Sequence, residues 1–433
     1  MTDPAMTQAA PHAAHDVRPS DIAVGVILGR SSEFFDFFVF AIASVIVFPG
    51  LLFPHLPALE ATLWSFAIFA LAFVARPLGT VIFTEIDRAF GKNVKLIVAL
   101  FLLGSSTVAM GLMPGYEDIG LWAAAVLAIL RILQGVALGG SWDGLPSLLN
   151  IHAPEGRKGF YAMVPQLGAP VGLVVASLLF AYLIAALPAA DFLDWGWRYP
   201  FFVAFAINVV ALFARLRIVV SPEYQAMYES RDLEPTPVLA TLRSEGRGIV
   251  LGAFAPLASF ALFHMVTVFP LSWVFLYTSE SPVRFLMLEA VAAVAGLGAI
   301  VASGWAADKF GRRALLFWGG AGIGVFSLLA PVLLSAGAVG EAIFLIYGFV
   351  LLGFNFGQSS GAIASLFAPG RRYTASALVS DLAWLFGAGF APLAALALSA
   401  EFGLFASGLY LLSGAVCTML ALHFAGLAQA RRD

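Results

Sequence analysis

Long apolar stretches and short polar segments alternate along the whole chain. Twelve stretches are long enough to cross a membrane as helices, because a bilayer requires about 20 mostly apolar residues per span. They cover residues 22–48, 62–86, 94–113, 119–149, 158–187, 197–218, 248–277, 284–307, 313–336, 341–367, 372–398 and 403–427. The pattern predicts an all-α membrane protein with twelve transmembrane helices.

The composition agrees with this pattern. Apolar residues make up 61% of the 433 residues and charged residues only 11%, whereas soluble domains have about 45–50% and about 25%. The 39 Phe residues are interpreted as lipid-facing side chains. A formal net charge of −3 without a basic arm speaks against a nucleic-acid partner. The single Cys417 cannot form a disulfide within the chain and is expected only to pack.

The distribution of Lys and Arg predicts the orientation in the membrane. If both termini are cytoplasmic, eighteen of the 23 basic residues fall in cytoplasmic segments or at the adjoining helix ends. Only Arg198 and Arg284 fall on the other side, and Arg30, Arg76 and Arg131 lie deeper within spans. This asymmetry follows the positive-inside rule. It predicts a multi-pass protein of a bacterial-type inner membrane with an even number of spans.

The longest polar stretch divides the chain into two halves of six spans. The predicted organisation is a cytoplasmic tail over 1–21, one half over 22–218, a cytoplasmic loop over 219–247, the second half over 248–427 and a tail over 428–433. The halves resemble each other, because the segment 84–93 after span two is echoed 220 residues later by 304–313 after span eight. Parallel repeats of six spans are typical of carriers whose site lies at the midplane between the halves.

The second of these segments carries a family motif. Gly304, Asp308, Gly311, Arg312 and Arg313 match the pattern G-x-x-x-D-[RK]-x-G-R-[RK] without a mismatch. The chain therefore resembles the major facilitator superfamily, which implies the major facilitator fold. In that family the acid and the basic residues of this loop form a latch between helix ends, which releases in the other conformation.

Further segments resemble the metabolite:proton symporter family within that superfamily. They are Glu33 to Phe38 in span one, Arg76-Pro77-Leu78-Gly79 in span two, and Arg131 with Gln134, Gly135, Gly139 and Gly140 in span four. The resemblance implies transport of small organic acids, or of zwitterions such as betaines, together with protons. It extends along nearly the whole chain.

The chain also departs from the family pattern. Ser141 and Asp143 stand in a motif that usually reads Gly-Gly-Glu-Trp-Gly-Gly, and Arg88 stands where the first-half latch usually has Asp. Asp87 and Asp143 are candidates to compensate, or the chain is a divergent subgroup with another inner gate. The residues predicted for the cytoplasmic gate are Asp87, Arg88, Asp143, Arg157, Glu223, Gly304, Asp308, Gly311, Arg312, Arg313 and Arg372.

Ionisable residues within spans are costly, so each is a candidate for function. Glu33 and Asp36 are three residues apart in span one and lie on one side of a helix. Arg131 lies about 18 Å into span four, close to the depth of Asp36, so the two are expected to pair. In similar symporters the acid at this position carries the proton. The hypothesis is that Asp36 carries the proton, Arg131 is its switchable partner and Glu33 is a second acid. The alternative is a static ion pair between the two helices.

A set of polar and amphipathic residues within the spans predicts a central substrate cavity. The candidates are Arg30, Gln134, Gln166, His264, Trp273, Asn355, Gln358, Asp381 and Trp384. Arg30 either faces an anionic substrate or extends to the surface. A single Asn or Gln in a span is often an interhelical hydrogen bond instead. Asp381 favours a cation or zwitterion, or is a second proton site.

The predicted function is secondary active transport, as proton-coupled symport of a small organic acid or zwitterion by alternating access. The alternatives are a proton-driven exporter of drugs or metabolites, or a transporter-like sensor that no longer cycles. The sequence has no nucleotide-binding or metal-binding motif, so we expect neither an enzyme, nor a cofactor, nor a metal site. The expected partners are the substrate, protons and the lipid bilayer, and a monomer suffices.

Overall fold

Twelve long helices build the protein. The computed structural model describes residues 19–141, 144, 149, 153–219, 234–359, 367 and 369–429. The long helices are α1 (Pro19–Ile46), α2 (Ala58–Phe90), α3 (Lys92–Leu112), α4 (Trp122–Gly140), α5 (Lys158–Ala186), α6 (Tyr199–Val219), α7 (Leu257–Tyr277), α8 (Pro282–Phe310), α9 (Arg312–Ser335), α10 (Gly337–Phe356), α11 (Gly370–Phe402) and α12 (Phe405–Gln429). The prediction of an all-α membrane protein with twelve spans is confirmed.

The apolar composition of these helices explains why they form. Eleven of them are long and apolar enough to cross a membrane, and a helix is one of the few structures that satisfies every backbone group there. The helix α1 is the exception, because it carries Arg30, Glu33 and Asp36 within one span. This helix is therefore placed inside the bundle, where other side chains surround its charges.

Two equivalent turns mark one end of the bundle. Gly91 joins α2 to α3 and Gly311 joins α8 to α9, with φ angles of 82° and 86°. Glycine occupies this region of backbone conformation readily, whereas a residue with Cβ is strained there. We call this end, where the latch segments 84–93 and 304–313 lie, the basic end. We call the opposite end, where α1 ends and α2 begins, the far end.

Within the described residues, the most extensive contacts between the two halves are made by α2 with α11, α5 with α8, and α1 with α7. Small residues allow the halves to approach closely. For example, a Cβ added at Gly159 would lie 2.7 Å from Ala307, and one at Gly304 would lie 2.9 Å from Met163. The interface is thus formed by helices of both repeats, as in a two-half carrier.

Three of the interface helices are interrupted within their length. The helix α5 has a 3₁₀ turn at Val164–Leu167, α7 consists of Leu257–Val266 and Val268–Tyr277, and α11 has a π-turn at Trp384–Gly389. Single π-turns within helices are often found at functional sites. The last two interruptions lie next to His264 and Trp384, two predicted site residues.

A further helix precedes the second half. The segment Val238–Phe254 is helical, so residues 238–247, which the sequence suggested as part of the inter-half loop, continue the helix toward α7. Its Arg243, Glu245 and Arg247 give this segment the polarity of a loop, although their spacing is compatible with a helix. Short helices at the far end are Phe48–Leu52, Tyr116–Ile119, Ala189–Asp194 and the 3₁₀ turn Gly196–Arg198.

Candidate functional site

An aromatic cluster fills the centre between the halves. Its rings come from α1, α2, α7, α10 and α11: Phe34, Phe37, Phe69, Phe73, Phe260, Phe263, His264, Phe356 and Trp384. Trp384 lies 5.9 Å from Phe34 and 5.3 Å from Phe263, measured between ring centroids. The interpretation that Phe residues face lipid is therefore wrong for this group, because these rings pack against each other inside the bundle.

His264 is enclosed by this cluster. Its ring stacks on Phe37 at 5.3 Å and meets Phe69 edge-on at 5.3 Å. Neither ring nitrogen has a hydrogen-bond partner among the described residues, although the side chain is fully buried. A buried polar group is normally hydrogen-bonded, so this imidazole is available to a ligand.

Asp36 lies in a hydrogen-bonded network next to the cluster. The side chain is 2% exposed. The hydroxyl of Thr107 is 2.9 Å from both carboxylate oxygens, Gln134 donates to Oδ1 at 3.2 Å and Asn208 donates to Oδ2 at 3.3 Å. Ser32 donates to Asn208 at 2.6 Å, which orients its amide. All three partners of Asp36 are donors, so the network fits an ionised carboxylate.

Arg131 reaches this network through Gln134. Its Nη1 donates to the side-chain amide oxygen Oε1 of Gln134, its Nε donates to the backbone carbonyl of Phe69 at 3.2 Å, and its guanidinium lies 3.9 Å from the ring of Phe40. The predicted direct pair of Asp36 and Arg131 is not formed in this conformation, because the amide of Gln134 lies between them. Gln134 belongs to the network of Asp36, as well as to the predicted set of substrate ligands.

Glu33 belongs to a separate ionic cluster. It accepts from Arg30 at 2.6 Å and from Arg215 at 2.7 Å. Arg215 comes from α6 and also donates to the backbone of Ser141 at 3.3 Å. Arg30 lies 5.2 Å from the ring of Phe34. The two arginines neutralise the charge of Glu33 inside the first half. Arg30 thus both pairs with an acid and lines the central cavity.

A buried ion pair joins the two halves on α2 and α11. Arg76 Nε donates to Asp381 Oδ1 at 2.8 Å, and the hydroxyl of Thr80 donates to the other oxygen. Arg76 Nη2 also lies 3.4 Å from Ser380 Oγ. The carboxylate of Asp381 faces Arg76 in this conformation, and its role as a substrate ligand stays a prediction. One turn closer to the far end on both helices, Phe73 stacks on Trp384.

A small cavity lies between these groups. It has a volume of about 40 Å³ and is lined by Arg30, Glu33, Phe34, Phe37, Ala72, Phe73, Arg76, Arg131, Leu138 and Trp384. A water molecule needs roughly 10–15 Å³ of such space, so the cavity is too small for a metabolite in this conformation. Its lining combines three guanidinium groups, one carboxylate and aromatic rings.

The second-half latch contacts the start of α5. Asp308 accepts from the backbone N–H of Gly159 at 2.5 Å and of Phe160 at 3.1 Å, and Arg312 donates to the carbonyl of Lys158. Backbone N–H groups at a helix start are unpaired within the helix and carry partial positive charge. The predicted latch thus consists of an acid on one half that caps a helix of the other half.

The first-half latch has a different chemistry. Asp87 is buried and lies 3.4 Å from Lys95 and from the hydroxyl of Tyr373 on α11. Lys95 donates to the same hydroxyl at 2.7 Å. Arg88 is exposed and pairs with Glu85 at 2.7 Å. Asp87 therefore takes part in the contact between the halves, whereas Arg88, which replaces the usual acid, does not contact the second half in the described residues.

Asp308→Asn is expected to weaken closure at the basic end. The substitution removes the charge that faces the start of α5, an interaction worth about 1 kcal/mol and up to about 2 kcal/mol where it is partly buried. We expect roughly a tenfold increase in thiol labelling of a reporter, Ala377→Cys, at a buried position of α11 near this end. The reporter is placed in a Cys417→Ser background. Glu85→Gln, at an exposed acid of the same end, is the control and should change nothing.

The remaining predicted residues occupy different places. Gln166 donates to Ser359 at 3.3 Å, and Gln358 donates to the backbone of Gly159 at 3.2 Å, so both join the halves near the basic end. Asn355 donates to Leu351 within α10 and packs against Gly319. The ring of Trp273 lies 4.4 Å from that of Tyr277, tilted by 37°, toward the far end. In this conformation Asn355 and Gln358 thus have different partners, and their role as substrate ligands stays a prediction.

The other gate candidates are as follows. Arg313 donates to the backbone of Leu422 at 2.7 Å, which joins α9 to α12 within the second half. Arg157 is exposed before α5, and Arg372 is half-buried at the start of α11. Asp143 and Glu223 lie outside the described residues.

Several residues that contact the site were not predicted from the sequence. Thr107 and Asn208 bind Asp36, Arg215 binds Glu33, and Tyr373 meets the first latch. Each is a polar residue in or next to an apolar span, which was the available signal. A further buried acid that is not among the predicted site residues is Glu289, which is 1% exposed and accepts from Ser177 on α5 at 3.1 Å.

The chain is similar to known transporters. A model of the family "Sugar (and other) transporter" matches residues 30–249. The inner membrane metabolite transport protein YhjE of Escherichia coli is 36% identical over 410 residues, which cover 93% of this chain and 92% of that protein. The shikimate transporter of Escherichia coli is 30% identical over 413 residues, which cover 92% of each chain.

Solved transporter structures have a similar fold. A D-xylose-proton symporter matches with a TM-score of 0.68 and 19% identity, over 94% of this chain and 96% of the other. The inward open conformation of the xylose transporter XylE from E. coli matches with a TM-score of 0.65 and 19% identity, over 92% and 95%. At this identity the likeness concerns the fold.

Proposed function

Because the chain belongs to the sugar (and other) transporter family of the major facilitator superfamily, we propose that it is a proton-coupled symporter of a small organic acid or zwitterion. Family membership establishes a multi-pass transporter of the inner membrane that acts on a small metabolite. Proton coupling and the substrate class are the proposed part. The substrates named for two of the similar transporters, shikimate and D-xylose, are both small hydroxylated molecules, and the first of them is an acid.

The observation that carries the proposal is the network of Asp36. Its carboxylate is buried beside the interface and linked to Arg131 through one side chain, Gln134. A proton that binds to Asp36 turns an acceptor of hydrogen bonds into a donor. The amide nitrogen of Gln134 then loses the carboxylate of Asp36 as its acceptor. Because the amide oxygen of the same side chain accepts from Arg131, a reorientation of Gln134 also alters the hydrogen bond of Arg131. Protonation and the position of Arg131 are thereby coupled.

Arg131 is suited to receive the negative charge of a substrate. Its Nη2 is buried without a hydrogen-bond partner among the described residues, and the guanidinium lines the small cavity. No ion pair with an acid is present for Arg131 in the described ranges. The unpaired nitrogens of His264 lie in the adjoining aromatic cluster. A carboxylate at Arg131 and a hydroxyl at His264 would satisfy both groups, while the rings of Phe37 and Trp384 enclose the body of the molecule.

The contacts between the halves support a mechanism of alternating access. The basic end is held closed by Asp308 on the start of α5 and by Arg76 with Asp381. Opening toward this side requires these contacts to break, after which the cavity widens between α2 and α11. We place the basic end in the cytoplasm, in agreement with the distribution of Lys and Arg.

Substrate-dependent proton movement tests the function. Energy-depleted cells that express the chain are placed in weakly buffered medium and given a panel of mono-, di- and tricarboxylates, betaines, sugars and amino acids. We expect one class of small carboxylates to alkalinise the medium, and Arg131→Lys to reduce the response at least roughly tenfold, because Lys lacks the planar set of donors of Arg. Cells with an empty vector are the control.

Other outcomes would favour the alternative functions. Acidification of the medium on addition of a compound would indicate a proton-driven exporter that runs in reverse, because entry of the compound is then exchanged for protons that leave the cell. No flux of any compound, with the protein present in the membrane and the panel transported by a known carrier in parallel, would indicate a sensor that no longer cycles. A response to sugars alone would replace the proposed substrate class.

A further inference from the structure

Glu289 is a buried acid at the contact between α5 and α8. It lies seven residues after the first residue of α8, Pro282, which is about 10 Å from the far end of that helix. Its Oε2 accepts a hydrogen bond of 3.1 Å from the hydroxyl of Ser177 on α5, which is itself fully buried. The two residues belong to different halves. The contact therefore exists only while α5 and α8 are closed on each other.

The described surroundings of Glu289 offer no counter-ion. The elements packed against α8 carry the following charged or titratable side chains: Lys158, Tyr161 and Tyr182 on α5, His264 and Tyr277 on α7, Arg312 and Arg313 on α9, and Glu341 and Tyr347 on α10; α8 itself adds Arg284, Asp308 and Lys309. None forms an ion pair with Glu289 in the described part of the chain. The pair at the same end, Arg284 with Glu341 at 3.3 Å, is formed between those two residues.

The charge state of Glu289 thus depends on whether the far end is open. An ionised carboxylate without a counter-ion costs several kcal/mol when it is removed from water. A protonated carboxyl is neutral and needs only ordinary hydrogen-bond partners. When α5 and α8 separate, water reaches the group and stabilises the ionised form. Closure therefore favours the form that has taken a proton.

We propose that Glu289 is a second proton-binding site, which must take a proton from the far side before α5 and α8 can close on it. The proton comes from water at the far end, where a hydronium ion converts the carboxylate to a carboxyl and leaves a water molecule. The inference rests on the proposed function in so far as it requires alternating access. It is separate from Asp36, because Glu289 belongs to the other half and has its own partner.

Labelling of a thiol on α5 tests this proposal. Ala181 is a buried residue one turn beyond Ser177 toward the far end, so Ala181→Cys in a Cys417→Ser background reports separation of α5 from α8. A membrane-impermeant maleimide is applied from the far side at external pH values from about 5.5 to about 8.5. We expect labelling to rise about tenfold with pH, because loss of the proton favours the open form. In Glu289→Gln, which stays neutral, labelling should stay low at every pH.

Control variants separate this site from others. Glu341→Gln removes an acid from the same end, and Asp36→Asn removes the proposed proton carrier; both should keep the rise with pH. A Glu289→Gln variant with an unchanged rise, or a parent protein without one, would overturn the proposal. If the Gln variant folds poorly, Ser177→Ala is the second test, and it should shift the labelling curve along the pH axis with its amplitude retained. Failure of the substrate panel would contradict only the proposed transport function, because labelling requires no substrate.

Discussion

Asp36→Asn is expected to abolish accumulation of substrate against its gradient while exchange of substrate across the membrane continues. The variant keeps the size of the side chain but cannot take a proton. One coupled proton supplies about 1.4 kcal/mol per unit of pH difference across the membrane, which corresponds to roughly a tenfold accumulation of a monocarboxylate per unit. For a zwitterion, whose symport with a proton carries net charge, the membrane potential adds about 2.3 kcal/mol per 100 mV. In the variant the ratio of internal to external substrate should fall to about one.

The structure also predicts that Asp36→Asn lowers the free energy of unfolding by a modest amount. Thr107, Gln134 and Asn208 all donate to the carboxylate, and the amide nitrogen of Asn would face at least one of these donors. Such an unsatisfied contact costs about 1–3 kcal/mol. The variant should still fold, as measured by thermal unfolding in detergent.

Uptake and counterflow measured in proteoliposomes distinguish coupling from general damage. Counterflow needs no proton gradient, so it should persist in Asp36→Asn. Asp191→Asn, the same change at an exposed position of the far end, is the control and should keep full accumulation. Accumulation above equilibrium in Asp36→Asn would show that the proton is carried elsewhere.

The second large effect is expected at the ion pair of Arg76 and Asp381. Removal of one partner from a buried ion pair leaves an uncompensated charge and costs about 3–5 kcal/mol. This cost falls on the conformation in which the basic end is closed, because separation of α2 from α11 exposes the remaining charge to water. Arg76→Leu or Asp381→Leu should therefore shift the equilibrium at least roughly a hundredfold toward the form that is open at the basic end.

Labelling of Ala377→Cys in a Cys417→Ser background measures this shift, with the reagent applied from the basic side in inside-out vesicles. The double variant, with Leu at both positions, should return most of the way to the parent, since it buries no charge. Arg88→Ala breaks an exposed pair worth about 0–1 kcal/mol and is the control. Equal labelling of the parent and both single variants would show that the pair does not hold the basic end closed.

The fold could be predicted from the sequence to a large extent. Hydrophobic length alone indicates the spans, and the order of Gly304, Asp308, Gly311 and the two following Arg residues indicates the superfamily. These signals are local. A span is recognised from its own residues alone, and the latch motif is recognised from the ten residues 304–313. The structure places Asp308 on the start of α5, where the motif led us to expect a contact between helix ends.

The pairing of polar groups could not be predicted in the same way. Arg76 and Asp381 are separated by 305 residues and Asp36 and Asn208 by 172, so their contacts depend on how the helices are rotated against each other. Spacing within one helix does not decide this. Asn355 and Gln358 are three residues apart, yet one contacts its own helix and the other contacts α5. The roles of these residues in transport stay predictions.

The interruptions of α7 and α11 distinguish the part of each half that lines the centre of the protein. The network of Asp36 is built on α1, α3, α4 and α6, which are continuous helices, whereas His264 and Trp384 stand beside the break at Thr267 and the π-turn at Trp384–Gly389. A broken helix can adjust its course locally without transmitting the change along its whole length. Substitutions around these two breaks should thus alter which molecules fit, and leave the energy source untouched. Related carriers can then differ in substrate specificity while they share one mechanism of proton coupling.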